Sequence, residues 1–480
     1  MKLGSNHLNL GAILFMWLIS AGCENEKQVA TTETQDAART ISAWITTPDK
    51  SQLFKEQPSK LTFGKTGNGL DIVIDSTKTF QTIDGFGYSL TGGSAYLLHT
   101  KLSSEKRAAL LKELFDHSGG NIGVSYLRIS VGASDLDARV FSYNDMPKGR
   151  TDENMKSFSI VEDEKHLIPV LKEILAINPE IRIMASPWSA PAWMKDNQSP
   201  RGGSLKKKAY GPYALYLAKY IQAMDKHGIR IDALTLQNEP ENPKNNPSMV
   251  MTAEEQADFV KNHLGPLFES QGIDTKIVVF DHNCDHPEYP ITILNDEEAK
   301  QYIDGSAFHL YLGEIDAMGK VHDAHPDRHV YFTEQWTSPN GSFDGDLKWH
   351  TRNLTIGASR NWSRTVLEWN LAADAQFNPH TDQGGCTECL GALTIDNGEV
   401  TRNVSYYIIA HASKFVRPGA TRIGSSMPEG LPNVAFVTPE GKRVLIVLNE
   451  SAEQKDFNIV MGGEKARATL PAGSVATYVW

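Results

Sequence analysis

Residues 231–240 read Ile-Asp-Ala-Leu-Thr-Leu-Gln-Asn-Glu-Pro. The apolar run Ile231–Leu236 predicts a short buried strand, preceded by a helix over Pro212–His227. The run ends in polar Gln237-Asn238-Glu239, and Pro240, which has no backbone N–H, stops any ladder from continuing. The same unit recurs outward in both directions. Upstream, Ser103–Phe115 predicts a helix before the strand Tyr126–Ile129, and His166–Ile177 a helix before Ile181–Ala185. Downstream, a helix over Thr252–Gln271 leads into Lys276–Phe280, followed by Ser306–Leu310, Val330–Thr333 and Thr365–Trp369. Gly85–Tyr88 stands first. Eight short strands alternating with helices over residues 81–415 predict an α/β fold, a (β/α)8 TIM barrel. A doubly wound open sheet is the alternative, but it calls for a Gly-rich phosphate turn after the first strand, and the sequence has none there.

Beyond Phe415 the helical spacing stops. Val434–Val437, Val444–Leu448, Phe457–Val460, Ala466–Leu470 and Val475–Val479 are strand-like runs at hairpin spacing, which predicts a side β-sandwich over 416–480. Within 41–80, Ala43–Ile45, Leu61–Phe63 and Leu70–Ile74 are further short strands, expected to join that sandwich and bring the termini together.

In a barrel of this kind, chemistry gathers where strands end at the C-terminal face. The residues at those ends are Arg128, Trp188, Asn238-Glu239, Asp281-His282, His309, Tyr311, Glu334, Trp336 and Glu368-Trp369-Asn370. Carboxylates, amides and aromatics dominate. A single strand-end glutamate is as well explained by a surface ion pair. Glu239 and Glu334, each flanked by amides or aromatics, favour chemistry. Breaking a glycosidic bond needs a proton on the leaving oxygen and a base or nucleophile at the anomeric carbon, and two facing carboxyls provide both. Retention needs them about 5–5.5 Å apart, inversion about 6.5–9.5 Å. The acid is expected to have its pKa raised by burial and the neighbouring carboxylate, while the other stays ionised beside a cation, for which Arg128 is the candidate.

The remaining candidates have two readings each. Asn238 is expected to bond a sugar 2-hydroxyl. Trp188, Trp336 and Trp369 either pack on sugar faces or fill the core, and Trp193 is expected in the core. Asp135 either accepts from sugar hydroxyls or caps a turn. His309 either orders the nucleophile or contacts substrate, or it is a satisfied buried histidine. Asp281-His282 carries the same ambiguity.

Of 480 residues, 47 are basic and 58 acidic, a net charge of −11, which argues against nucleic acid as a partner. Ligand spacings for a metal are lacking, so neither metal nor cofactor is expected. Cys386 and Cys389 most simply form a local disulfide, and Cys284 is a lone thiol. Residues 1–22 begin with Lys2, continue with an apolar run over Leu10–Ala21 and end in small residues before Cys23. The run is too short to span a bilayer, which takes about 20 residues. It resembles a bacterial lipoprotein signal, which implies export and a lipid on Cys23 as the only membrane attachment; an ordinary secretory signal with an incidental Cys23 is the alternative. Residues 23–40 read as a flexible tether, with acidic Glu24 and Glu26 hinting at the outer membrane or surface of a Gram-negative cell.

Several stretches together resemble glycoside hydrolase family 30, the family of lysosomal glucosylceramidase. They are Asp84-Gly85-Phe86-Gly87, Ala185-Ser186-Pro187-Trp188-Ser189-Ala190-Pro191-Ala192-Trp193, Gln237-Asn238-Glu239-Pro240, His309-Leu310-Tyr311, Thr333-Glu334-Gln335-Trp336, Glu368-Trp369-Asn370-Leu371 and His411-Ala412-Ser413-Lys414-Phe415. The resemblance implies a barrel with a side sandwich, retaining chemistry without metal, Glu239 as acid/base and Glu334 as nucleophile. It also implies sugar contacts from Asp135, Trp188, Asn238 and Trp369, and a subsite role for Tyr311. Tyr88-Ser89-Leu90-Thr91-Gly92-Gly93 and the Gly384-Gly385-Cys386 loop depart from the lysosomal pattern. The expected substrate is therefore a β-glucan or other β-glucoside, as for a β-1,6-glucanase or β-glucosidase, with glucosylceramide as the alternative. From another class comes a catalytically silent glycan-binding lipoprotein, which has no need of both carboxylates.

Overall fold

The computed structural model of the chain describes residues 39–65 and 69–480. The expected signal segment, Cys23 and all but the last residues of the tether lie outside the described residues. Eight parallel strands close into a barrel: β1 (Gly85–Ser89), β2 (Tyr126–Val131), β3 (Arg182–Pro187), β4 (Ala233–Thr235), β5 (Lys276–Cys284), β6 (Ile303–Gly313), β7 (His329–Glu334) and β8 (Ser363–Asn370). Each neighbours the next in sequence, and β8 returns to β1, with Thr365 opposite Gly85.

Side chains of a strand alternate between its faces, so residues two apart point the same way. One inward layer is apolar: Tyr126, Met184, Ala233, Val278, Ala307, Tyr331 and Leu367 pack together inside the barrel. The outward residues join the helices in a single large core that includes Leu127, Ile183, Leu234, Val279, Phe308, Phe332 and Val366.

The helices begin where local chemistry dictates. Ser103 caps Ser104–Phe115 by accepting from the Lys106 N–H. Thr252 and Glu255 form a reciprocal capping box at the start of Ala253–Phe259. The continuous helix expected over 252–271 is interrupted. A wide turn occupies Val260–Leu264 before the helix resumes at Gly265–Gln271. Pro266 has no N–H to return to the preceding turn, so regular hydrogen bonding cannot run through it.

The N-terminal strand Thr40–Thr46 lies antiparallel to C-terminal Val475–Val479, with Ser42 opposite Val479 and Thr46 opposite Val475. Leu70–Thr82 is a long strand that pairs with both Thr421–Ser425 and Lys455–Met461 before the chain enters β1. Ile41, Ile72, Leu445, Phe457 and Ala476 belong to a separate apolar core in this side sheet. One buried histidine ties sheet to barrel. His411, on helix Val404–Ser413, reaches Thr477 Oγ1 at 2.9 Å and Thr46 Oγ1 at 2.8 Å. Burial pushes its imidazole down to about 3, so it is a neutral hydrogen-bonding link.

Candidate active site

Two residues beyond the apolar layer, the inward positions turn polar. Arg128, Ser186, Thr235, His309 and Thr333 follow Tyr126, Met184, Ala233, Ala307 and Tyr331 at that interval. In β5 the interval is three. Phe280 and Asp281 both have positive φ (71° and 65°), and the pairing with β6 shifts register beside them. This bulge turns Asp281 into the barrel.

Asp281 is the hub of the layer. Its Oδ2 accepts from Arg128 (2.8 Å), Ser186 (2.7 Å) and Thr235 (2.8 Å), and its Oδ1 from Thr333 (2.7 Å). Burial penalises its charge, but Arg128 and His309 hold its carboxyl well below the usual range. Arg128 is fully buried. Its Nη2 also donates to Asn238 Oδ1 (2.7 Å), and its Nη1 donates to Glu334 Oε2 (2.6 Å). The guanidinium lies 4.8 Å from the Trp188 ring centroid, and Trp188 stacks on Trp369.

Above this layer opens a cavity of ≈ 560 Å³. Glu239 and Glu334 both line it, with Asp135, Trp188, Tyr311, Trp336 and Trp369. One carboxyl oxygen of Glu239, one of Glu334 and a ring nitrogen of His309 all lie within 4.8 Å of one another. Glu239 sits at φ 48°, its N–H bonded to the Asp281 carbonyl at 3.0 Å, a strained backbone held in place by the adjoining strand. Its Oε2 accepts from the side-chain amides of Asn242 (2.7 Å) and Asn245 (3.1 Å), and its Oε1 meets His309 Nδ1 at 3.2 Å. Glu334 Oε1 accepts from the Tyr311 hydroxyl at 2.9 Å.

The expectation that the surroundings raise Glu239 does not hold. Burial pushes its carboxyl up, but His309, His282 and the Asn242 amide outweigh that and hold it at about 2. Burial raises Glu334, with the charges of His309 and Arg128 working against the shift. His309 itself is penalised by burial yet lifted to about 9 by Glu334, Asp281 and Glu239. These directions favour a charged imidazole between the carboxylates.

His309 is corrected in a second respect. It was expected among the substrate contacts, yet it is fully enclosed, and both ring nitrogens face carboxylates, Nε2 lying 3.2 Å from Asp281 Oδ1. Tyr311, two residues further along β6, is the one that reaches the cavity. Asn238 is buried beside Arg128 rather than in the cavity lining, and its Oδ1 is already occupied. Trp188 and Trp369 serve both readings, each being a buried member of an aromatic pair with an edge on the cavity. Trp336 is more open and packs against the cluster of Leu136, Trp188, Trp369 and Cys389, and the Cys386–Cys389 disulfide also lines the wall. Trp193 packs against the core, its Nε1 donating to the Asn144 carbonyl at 3.1 Å. Among the described residues, only Glu239, His309 and Glu334 converge tightly enough to hold a metal ion, and a cation there would compete with Arg128 for Glu334.

Asn242 and Asn245, which lie in the loop after Glu239, carry no separate signal in the sequence. Thr235, Ser186 and Thr333 had one, since each falls two residues beyond an apolar inward position.

The comparisons with known proteins converge with this geometry. The model of the glycosyl hydrolase family 30 TIM-barrel domain matches residues 83–416, and that of the family 30 β-sandwich domain matches residues 419–478. An endo-1,6-β-D-glucanase of Aspergillus fumigatus is 33% identical over 437 residues, covering 85% of this chain and 87% of that protein. The lysosomal acid glucosylceramidase of Mus musculus is 28% identical, covering 87% and 84%. The solved structure of an endo-β1,6-glucanase superposes with a TM-score of 0.86 at 34% identity, covering 92% of this chain and 99% of that one. With barrel and side sheet each matched along nearly their whole length, the chain belongs to glycosyl hydrolase family 30 and is a glycoside hydrolase.

Proposed function

We propose that the protein hydrolyses internal β-1,6-glucosidic bonds of a glucan with retention, using Glu334 as nucleophile and Glu239 as acid/base. The observation that carries this is the approach of the two carboxyls, whose oxygens lie within 4.8 Å across one cavity. So close an approach supports the shorter carboxyl separation of retaining enzymes, about 5–5.5 Å, over the about 6.5–9.5 Å of inversion.

In the first step Glu334 attacks the anomeric carbon as the bond to the leaving oxygen breaks. Arg128 and the Tyr311 hydroxyl fix both Glu334 oxygens and favour its ionised form. Glu239 protonates the leaving oxygen, drawing the proton from His309 Nδ1 across their 3.2 Å contact. In the second step Glu239 takes a proton from water as the water oxygen attacks the anomeric carbon and the ester to Glu334 breaks, and the proton then returns to His309 Nδ1, restoring the starting state. Asp135, Trp188, Trp336 and Trp369, which line the cavity, are assigned here to hold the sugar.

The glucanase reading draws on the fungal relative and the solved glucanase, both of which act on 1,6-β-glucan by name. The cavity wall beyond Glu239 supports it. Glu241, Asn242, Asn245, Asn283, Asp285 and His286 give that side hydrogen-bonding groups suited to a sugar, and Leu312 is its exposed apolar residue. A ceramide would leave those polar groups unmatched. We also propose export and a lipid anchor on Cys23, which a Cys23→Ser variant tests by releasing the enzyme from membranes.

The main experiment is product analysis on pustulan, gentio-oligosaccharides and glucosylceramide side by side. Gentio-oligosaccharides of several lengths are expected from pustulan; turnover of glucosylceramide alone overturns the reading. Glu334→Gln should lose turnover by a factor of about 10⁴ or more, with the fold intact. Glu239→Gln should recover part of the lost first-step rate on substrates with good leaving groups, which need little protonation. A Glu239→Gln variant that is equally impaired on every leaving group overturns its role as acid.

A further inference from the structure

A second cavity, of ≈ 250 Å³, lies against the other side of the loop that carries Asp135. The loop serves both. Asp135 lines the catalytic cavity, Leu136 joins the Trp188–Trp369 cluster, and Asp137 lines the second cavity. No residue of this second space takes part in the chemistry above.

Two carboxyls face it. Asp137 is 7% exposed and Asp163 is 5% exposed. Each is bonded within the protein through one oxygen. Asp137 Oδ2 accepts from the Ser134 N–H (2.7 Å) and hydroxyl (3.0 Å), and Asp163 Oδ2 accepts from the Tyr143 hydroxyl (2.6 Å). Among the described residues, neither Oδ1 has a hydrogen-bond partner, and both aspartates line the cavity. Neither oxygen is sealed from solvent, so each can be reached by a ligand that enters the cavity. Burial lifts the two carboxyls to about 7 and about 8, so near neutral pH each exists partly as an acid able both to donate and to accept.

The rest of the wall selects the ligand. The rim cations Arg139 and Lys165 are both paired with Glu162, at 2.7 and 2.8 Å, so the rim does not call for an anion. Tyr96 and Phe141 supply aromatic surface. Aromatic surface beside donor–acceptor carboxyls complements a pyranose, which has an apolar C–H face and a rim of hydroxyls.

We propose that this cavity is a second carbohydrate site, in which Asp137 and Asp163 hold one neutral pyranose unit of the glucan while Tyr96 packs on its face. The proposal rests on the reading of the substrate as a β-glucan. It gives the enzyme a grip on the polymer beside the catalytic cavity, on the loop that also positions Asp135.

The test uses the full chain in the Glu334→Gln background, which leaves oligosaccharides intact. Calorimetric titration with gentiobiose, too short to bridge the two cavities, should show two sites per chain. Adding Tyr96→Ala should leave one. Asp163→Asn, which preserves shape, should weaken the second site about tenfold, the loss of one good contact. With Glu334 restored, both variants should turn over a small aryl β-glucoside at the wild-type rate. A single site in the parent protein, or two unchanged sites in both variants, overturns the proposal. Parallel titrations with cellobiose and laminaribiose, and a pustulan assay, separate the two readings. One site with pustulan cleaved overturns this inference alone. Two sites with pustulan untouched sustains it and overturns the β-1,6 assignment.

Discussion

The barrel buries a charge cluster at each end, and the two are built on opposite plans. At the N-terminal end, Asp84 lies between Arg182 and Arg364, with Arg364 Nε at 2.9 Å and Nη2 at 2.7 Å. With Asp232, Asp304 and Lys276 close by, three anions meet three cations, and Arg182 is 37% exposed, so the charges balance and reach water. At the mouth, Arg128 and His309 face Glu239, Asp281 and Glu334, all buried, with Asp135 nearby. The lower cluster closes the barrel; the upper one concentrates uncompensated negative charge and resolves it by sharing a proton. Buried charge in excess is tolerated only where something depends on it.

The largest expected effect breaks the upper cluster. Arg128→Leu leaves Asp281 and Glu334 without their cation in a sealed environment and should cost about 3–5 kcal/mol in urea unfolding, together with nearly all turnover. Asp84→Asn removes an anion whose arginines can turn to solvent, and should cost about 1–3 kcal/mol with turnover per folded molecule unchanged. If the two variants prove equally destabilised, the contrast between the ends is wrong.

The same comparison explains what the sequence made legible. Strand positions were readable because alternation and short apolar runs are local, and all eight barrel strands fall where those runs lie. Inward alternation also picks out Arg128, Ser186, Thr235 and Thr333. Asp281 was a strand-end candidate, but its place at the centre of the layer was not readable, because a bulge adds a residue and no local pattern announces it. The readings of His309 stayed open, with substrate contact among them, because depth in the barrel is not written in the sequence. Ala307, His309 and Tyr311 are successive inward positions, and only the last rises to the cavity. The sheet strand Thr421–Ser425 was not expected, since Arg422 and Gly424 dilute its apolar pattern. The second cavity depends on Asp137 and Asp163, which are distant in sequence and meet only through folding.

A smaller effect sharpens the contrast through pH. Burial, with Glu334 and Glu239 behind it, lifts Asp135 to about 8 from an ordinary 3.8. Between those values the folded state holds a proton that the unfolded state has lost, so stability falls as pH rises, by at most about 1.4 kcal/mol per pH unit. His309, lifted to about 9 from 6.5, acts in the same direction: its stabilisation is complete below 6.5 and lost as pH rises through about 9. Asp84 has the opposite sign. Burial pushes its carboxyl up, but Arg364 and Arg182 bring it below 3.8, so its contribution is present above that value and fades as pH falls. Melting temperatures should therefore show Asp135→Asn gaining on wild type from about pH 4 to about pH 8. The deficit of Asp84→Asn should shrink only in acid. Parallel pH profiles for the two variants would remove the electrostatic distinction between the ends.

The smallest expected effect separates holding the substrate from holding the carboxylates. The Cys386–Cys389 bridge closes a short loop at sequence separation 3, so its entropic contribution is about 2 kcal/mol at most. It touches the Trp336 side of the wall, and neither sulfur bonds a member of the charged layer. Replacing both cysteines by serine should therefore lower the melting temperature slightly and raise KM on pustulan by about threefold, the loss of a fraction of one contact, with kcat kept. The charged layer hangs from strands, and the disulfide hangs from a loop after β8. A fall in kcat approaching that of Arg128→Leu would mean that the loop, and not the strand ends alone, sets the distance between Glu239 and Glu334.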